Sequence, residues 1–235
     1  MVKAELIKKS PLRIFEKSTH GGVGKGNIGI IAARNGVGKT ACLVHIATDQ
    51  LFQGKHVIHV SFSSNTSHII SWYEDIFQEI AGRRNLEEAM QIHDEIIKNR
   101  VIMNFSQQGI SIEQIIKSLE SMISQGAFAA DCIIFDGYSF SQGVPDDFDR
   151  LKQFAARLQL ELWFSASLPD EEYETDERGI PTVFLPYIDK TAILITMNPA
   201  KGHIRLELKK DQDLVDTQDL HLKLDPKILL ITEEA

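Results

Sequence analysis

Ala33-Arg34-Asn35-Gly36-Val37-Gly38-Lys39-Thr40 is the stretch whose residue types and spacing most clearly specify chemistry. It follows the pattern GxxxxGK[ST], with alanine in place of the first glycine. Small residues let consecutive backbone N–H groups wrap a phosphate, and a helix starting at Lys39 turns its positive end toward the anion. Arg34, Asn35, Gly36, Val37, Gly38, Lys39 and Thr40 are therefore the candidate nucleotide-binding residues. Lys39 is placed to reach the β- and γ-phosphates of a nucleoside triphosphate, and the Thr40 hydroxyl to ligate magnesium. ATP with Mg2+ is the expected pair. A phosphate loop also needs a carboxylate at the end of a neighbouring buried strand. Asp136, directly after Cys132-Ile133-Ile134-Phe135, fits as the residue that holds the metal through water.

A second glycine-rich run, His20-Gly21-Gly22-Val23-Gly24-Lys25-Gly26, is similar to the loop of ParA/MinD-type ATPases. Gly26 lacks the hydroxyl that a metal needs, LRIFEKST before it is not a buried strand, and a strand follows where a helix should. It reads as a tight turn feeding the first core strand. His45, His56, His59, His68 and His93 form no metal-ligand grouping, and Cys42 and Cys132 read as reduced, apolar core residues.

The elements around these residues follow from periodicity. Strands are expected at Ile28–Ala33, His56–Phe62, Val101–Phe105, Cys132–Phe135 and Glu161–Ser165. Helices are expected at Lys39–Phe52, His68–Ile80, Leu86–Lys98, Ile112–Ser124 and Asp147–Leu158. Within His68–Ile80, Ile69, Trp72, Ile76 and Ile80 form the apolar stripe. From Thr191 the character changes to short strands, AILITM, HIRLELK and KILLIT, joined by turns such as Asn198 to Gly202. Strands alternating with helices imply an α/β fold with a mainly parallel, twisted sheet flanked by helices, and the tail adds antiparallel strands at the C-terminal edge. One domain over residues 1–235 accounts for the chain.

Composition narrows the function. The chain has 235 residues, is 43% hydrophobic and 25% charged, and carries a net charge of −8. That balance disfavours unspecific attraction to nucleic acid or anionic membrane. No apolar run approaches the ~20 residues of a membrane span, and a cytoplasmic protein is expected. Asp136-Gly137-Tyr138-Ser139 is not the DxxG of a GTPase, and Met197-Asn198-Pro199-Ala200 is not NKxD.

The remaining pattern resembles the RecA superfamily of P-loop NTPases, nearest to KaiC-like and DnaB-type helicase ATPase cores. The resemblance spans about residues 18 to 211. GGVGKGNIGIIAARNGVGKTACLVHIA resembles that family's lead-in, HVIHVSFSSNTSHI its second strand, CIIFDGYS its Walker B strand, LKQFAARLQLELWFSASL its next helix and strand, and AILITMNPAKGHIRLELKKD its closing hairpin. The resemblance implies an ATPase core whose catalytic side is altered. Where the family carries a water-activating glutamate this chain has Ser63, its sensor glutamine corresponds to Ser167, and its trans-acting Lys-x-Arg becomes Lys209-Lys210-Asp211. A serine without a proton acceptor cannot serve as general base near neutral pH. The loop at 169–178 sets Asp170, Glu171, Glu172, Glu174, Asp176 and Glu177 against Arg178 alone, which disfavours DNA and offers a docking place for a basic protein partner. The expectation is an ATP- and ADP-binding regulatory or assembly switch with slow or absent hydrolysis, able to form a homo-oligomer through Lys209 and Lys210. An active DNA-dependent ATPase and a phosphotransferase are the alternative readings.

Overall fold

The computed structural model describes residues 7–8, 10–63, 66–81, 86–106, 109–125, 128–169, 173–214, 218–228 and 230–233. The sheet is nine-stranded. In chain order its strands are β1 (Ile28–Ala33), β2 (Val57–Ser61), β3 (Arg100–Asn104), β4 (Cys132–Asp136), β5 (Glu161–Ser167), β6 (Ile193–Ala200), β7 (His203–Asp211), β8 (Gln218–Asp225) and β9 (Leu230–Glu233). Their spatial order is β3-β2-β4-β5-β1-β6-β7-β8-β9. The ladders from β3 to β6 are parallel and those from β6 to β9 antiparallel.

The helices are α1 (Leu12–Ser18), α2 (Lys39–Phe52), α3 (Ser67–Ala81), α4 (Leu86–Lys98), α5 (Ile112–Ser124) and α6 (Pro145–Leu158), with a 3-10 segment at Thr182–Lys190. Successive residues of β1 face opposite sides of the sheet. Ile31 and Ala33 join one core with α1, α2, α3 and residues of β6 to β9. Ile28, Ile30 and Ala32 join the other with α5, α6 and the 3-10 segment. Leu206, Leu208, Leu220, Leu222, Leu224 and Ile231 of β7 to β9 all belong to the core on the α2 side. The late antiparallel strands thus supply much of the cover for α2, whose residues from Ala41 to Phe52 are buried throughout. Its buried residues include the polar His45, Thr48, Asp49 and Gln50, of which Asp49 pairs with Arg13 and His45 accepts the N–H of Ile231.

Helix α5 shows local coding plainly. Ser111 accepts from the Gln114 N–H, and the Gln114 side chain accepts from the Ser111 N–H, a reciprocal capping box. In the predicted stripe of α3, Ile69 and Ile76 are buried as expected. The third fully packed position, however, is Tyr73, while Trp72 is only half-buried. The glycine-rich run at 20–26 is a turn, with Gly21, Gly22, Gly24 and Gly26 all at positive φ. Among the described residues no helix is long and apolar enough to cross a membrane.

Candidate functional site

The loop between Ala33 and Lys39 leaves β1 at its carboxyl end and enters α2. Gly36 (φ 74°) and Gly38 (φ 108°) take the left-handed conformations that let the main chain curl back. Ala33 is the last residue of β1 and does not have a positive φ, so the side chain in place of the usual first glycine costs nothing there. The Lys39 ammonium donates to the main-chain oxygens of Ala33 (3.0 Å) and Arg34 (2.9 Å), spanning the loop from inside. Arg34 itself is exposed. Its side chain lies beside Leu168, Tyr173 and Asn198 and does not line the main cavity, so of the predicted loop residues it contributes through its backbone.

Asp136 is not on a strand adjacent to β1, as the sequence reading had it. β5 lies between them. The two are nevertheless brought together, because the Thr40 hydroxyl crosses to the carboxylate of Asp136, 3.0 Å from Oδ2 and 3.2 Å from Oδ1. The intervening strand adds a group that the sequence reading missed. Ser165 of β5 donates to Asp136 Oδ1 (2.7 Å) and accepts the N–H of Gly137 (2.7 Å). A second missed neighbour is His59 on β2, fully buried, with Nε2 3.9 Å from Asp136 Oδ2. Burial pushes the Asp136 carboxyl upward, but the combined pull of His59, Ser165 and Thr40 outweighs it, and the group is held below the ordinary carboxylate value. Asp136 is therefore an anion at neutral pH beside a hydroxyl. Two oxygen donors at the foot of a phosphate loop suit a hard divalent cation such as magnesium.

A cavity of about 510 Å³ opens above this pair. Asn35 to Thr40 form its floor. Phe62, Ser63, His68 and Trp72 stand on one side, Ser165 and Ser167 at the end of β5, and Ile204, Leu224 and Pro226 opposite. A volume of this kind is in the usual range for small-molecule sites. Ser63 and Ser167 both line the cavity. Asp136 is the one carboxylate among the described lining residues. The backbone of Ser63 is tied down, its N–H to the Ser61 hydroxyl (3.2 Å) and its carbonyl to the Asn104 amide.

The late lysines sit elsewhere. Lys210 is buried and donates to the carbonyls of Thr191 (2.7 Å) and Gln212, and burial lowers its pKa. Lys209 pairs with Glu207 at 3.0 Å. Asp211 is buried too, with His20 of the glycine-rich turn 2.6 Å away. In the acidic loop, residues 170–172 lie outside the described residues. Asp176 turns its carboxylate inward on its own chain, accepting from the N–H groups of Arg178 and Ile180. Among the described residues no group of three or more His, Cys, Asp or Glu could hold a metal ion.

No family model matches the sequence, and no curated protein does. A solved DnaB-like replicative helicase, studied for its interactions with primase, matches in structure with a TM-score of 0.62 at 16% identity. The match covers 89% of this chain and 58% of the helicase, so the chain spans little more than half that protein's length. The fold, an α/β sheet that is mostly parallel with antiparallel C-terminal strands, is similar to that of this DnaB-like helicase.

Proposed function

We propose that this chain binds ATP or ADP with magnesium in the 510 Å³ cavity and acts as a nucleotide-dependent regulatory or assembly switch with little or no turnover. The observation that carries the reading is an intact binding side next to a depleted hydrolytic side. The loop, Lys39, Thr40 and Asp136 converge, and no second carboxylate lines the cavity among the described residues.

Each residue then has a task. The N–H groups of Asn35 to Gly38 cradle phosphate, Lys39 exchanges its loop carbonyls for phosphate oxygens, and Thr40 and Asp136 hold the cation. Magnesium, when bound, supplies charge neutralisation of the phosphates. Ser63 and Ser167 offer hydroxyls to the cavity, but neither takes a proton from water near neutral pH. Steady-state hydrolysis by pure protein should fall far below the ~10 s⁻¹ typical of enzymes. Ser63→Glu should raise it. Turnover near that typical rate, abolished by Lys39→Ala, would sink the switch reading while leaving the binding site standing.

The likeness to a replicative helicase favours one second reading, a DNA-dependent ATPase. Single-stranded DNA that stimulates hydrolysis in a Lys39-dependent manner would put that reading first.

A further inference from the structure

We propose that His59, set by Tyr73, is a positioning residue for Asp136 and ties the grip on magnesium to helix α3. The inference rests on reading the cavity as a magnesium–nucleotide site.

His59 pairs in register with Ile134 of β4, two residues short of the Ser61–Asp136 pair at the strand ends. Its imidazole is wholly enclosed. Nδ1 lies 3.1 Å from the Tyr73 hydroxyl, while Nε2 has no hydrogen-bond partner and faces Asp136 Oδ2 at 3.9 Å. A neutral imidazole carries one N–H, so its two nitrogens have opposite roles. If Tyr73 donates to Nδ1, the proton sits on Nε2 and points at a carboxylate. The reverse tautomer would aim a lone pair at an anion in a buried setting, which is costly. Burial raises the Tyr73 pKa, so its hydroxyl keeps the proton it donates.

Asp136 Oδ1 is already held by Ser165. Oδ2 is shared between Thr40 and the approach of His59. A Thr40 hydroxyl engaged with a cation no longer restrains Oδ2. His59 is then the neighbour on that side, and a small carboxylate rotation closes 3.9 Å to a direct hydrogen bond. Without such a partner a buried imidazole N–H would remain unsatisfied, at the usual desolvation penalty. Tyr73, in turn, is fixed on α3, with the Arg100 guanidinium 4.3 Å over its ring. The same helix presents His68 and Trp72 to the cavity. Thr40, Asp136, His59 and Tyr73 thus form one contact path from the cation's ligands to a cavity wall.

The test is the affinity for a fluorescent ATP analogue, measured with magnesium and again with EDTA. Wild type, Lys39→Ala, His59→Leu, His59→Gln and Tyr73→Phe are compared, each checked for folding by circular dichroism. Removing the outer partner of a metal-holding group typically costs 10- to 100-fold in metal affinity. His59→Leu should therefore weaken binding about 10-fold or more in magnesium and leave binding in EDTA unchanged. His59→Gln, whose amide nitrogen stands near the place of Nε2, should recover most of the loss. Tyr73→Phe, with the histidine retained, should lose part of it and carries the test if His59→Leu does not fold. A wild-type ratio of magnesium to EDTA affinities in the Leu and Phe variants overturns the proposal, as does an equal loss under both conditions. Wild-type protein that binds no analogue, or binds it equally well as Lys39→Ala, removes the nucleotide site and this inference with it.

Discussion

Lys39 currently satisfies its charge on two carbonyls of its own loop, so the phosphate it is proposed to meet replaces existing hydrogen bonds. The gain is contact with an anionic oxygen in exchange for bonds from the same ammonium to neutral carbonyls. At 100-fold excess over the dissociation constant, a ligand specific to the folded state adds about 2.7 kcal/mol, roughly 5–10 °C in melting temperature for a chain of this size. Magnesium ATP should produce such a shift in wild type, read by thermal denaturation, and Lys39→Ala should abolish it. An unchanged shift in the variant would refute the loop assignment. Gly38→Ala tests the loop's shape separately. Gly38 has φ 108°, and an added Cβ would stand 2.6 Å from Leu224 Cδ2. The variant should melt below wild type and bind nucleotide more weakly, with the thermal deficit present even without ligand.

Helix α2 is also the site of a pH effect on stability. Helix α2 carries His45, whose Nδ1 accepts the main-chain N–H of Ile231 in β9 at 2.9 Å. Burial lowers its pKa from 6.5 to about 4. Its neutral form is therefore favoured in the folded state. The stabilisation is complete above pH 6.5 and disappears as the pH falls toward 4, where the ring must charge and Nδ1 ceases to accept. The difference corresponds to something on the order of 3 kcal/mol. Urea unfolding at a series of pH values should show this loss between neutral and acid. His45→Gln, which keeps an acceptor and cannot charge, should flatten the profile. An identical pH slope in the two proteins would rule it out. Nothing in the sequence distinguishes His45 from His68, because burial is decided by strands that arrive almost two hundred residues later. The same holds for His59 and Ser165. Each is an ordinary strand residue in sequence; Ser165 acquires its role because β5 lies between β1 and β4, and His59 because β2 pairs with β4. Where chemistry is local, the residues announce it. Ala33 to Thr40, the Asp136 strand end and the limits of α2, α4 and α5 read directly from residue pattern. Strand β8 went unread, although Leu220, Leu222 and Leu224 alternate with His221, Lys223 and Asp225 in the pattern of a half-buried strand.

For the molecule as a whole, charge and oligomerisation give the remaining expectations. With a net charge of −8 and six acids in the 169–178 stretch of the sequence, the protein should bind single- and double-stranded oligonucleotides weakly at ~150 mM salt by fluorescence anisotropy. Submicromolar, ATP-dependent binding would reverse that expectation. Lys210 holds two carbonyls of its own chain, so Lys210→Ala should lower thermal stability on its own account. Any ATP-promoted assembly through this surface then depends on Lys209. Light scattering with a non-hydrolysable analogue, in wild type and in Lys209→Ala, checks this: assembly that survives in the variant removes Lys209 from the interface. The placement of β8 and β9 over α2 also dictates an order of events in time. The helix proposed to receive the phosphate is synthesised well before Leu222, Leu224 and Ile231, which shield it. Contacts so distant along the chain close slowly, because the intervening loop entropy is lost before they form. During refolding from denaturant, competence to bind nucleotide should therefore appear with the slowest phase, after most helical signal has returned, and a nascent chain should acquire the ligand only once β8 and β9 have left the ribosome.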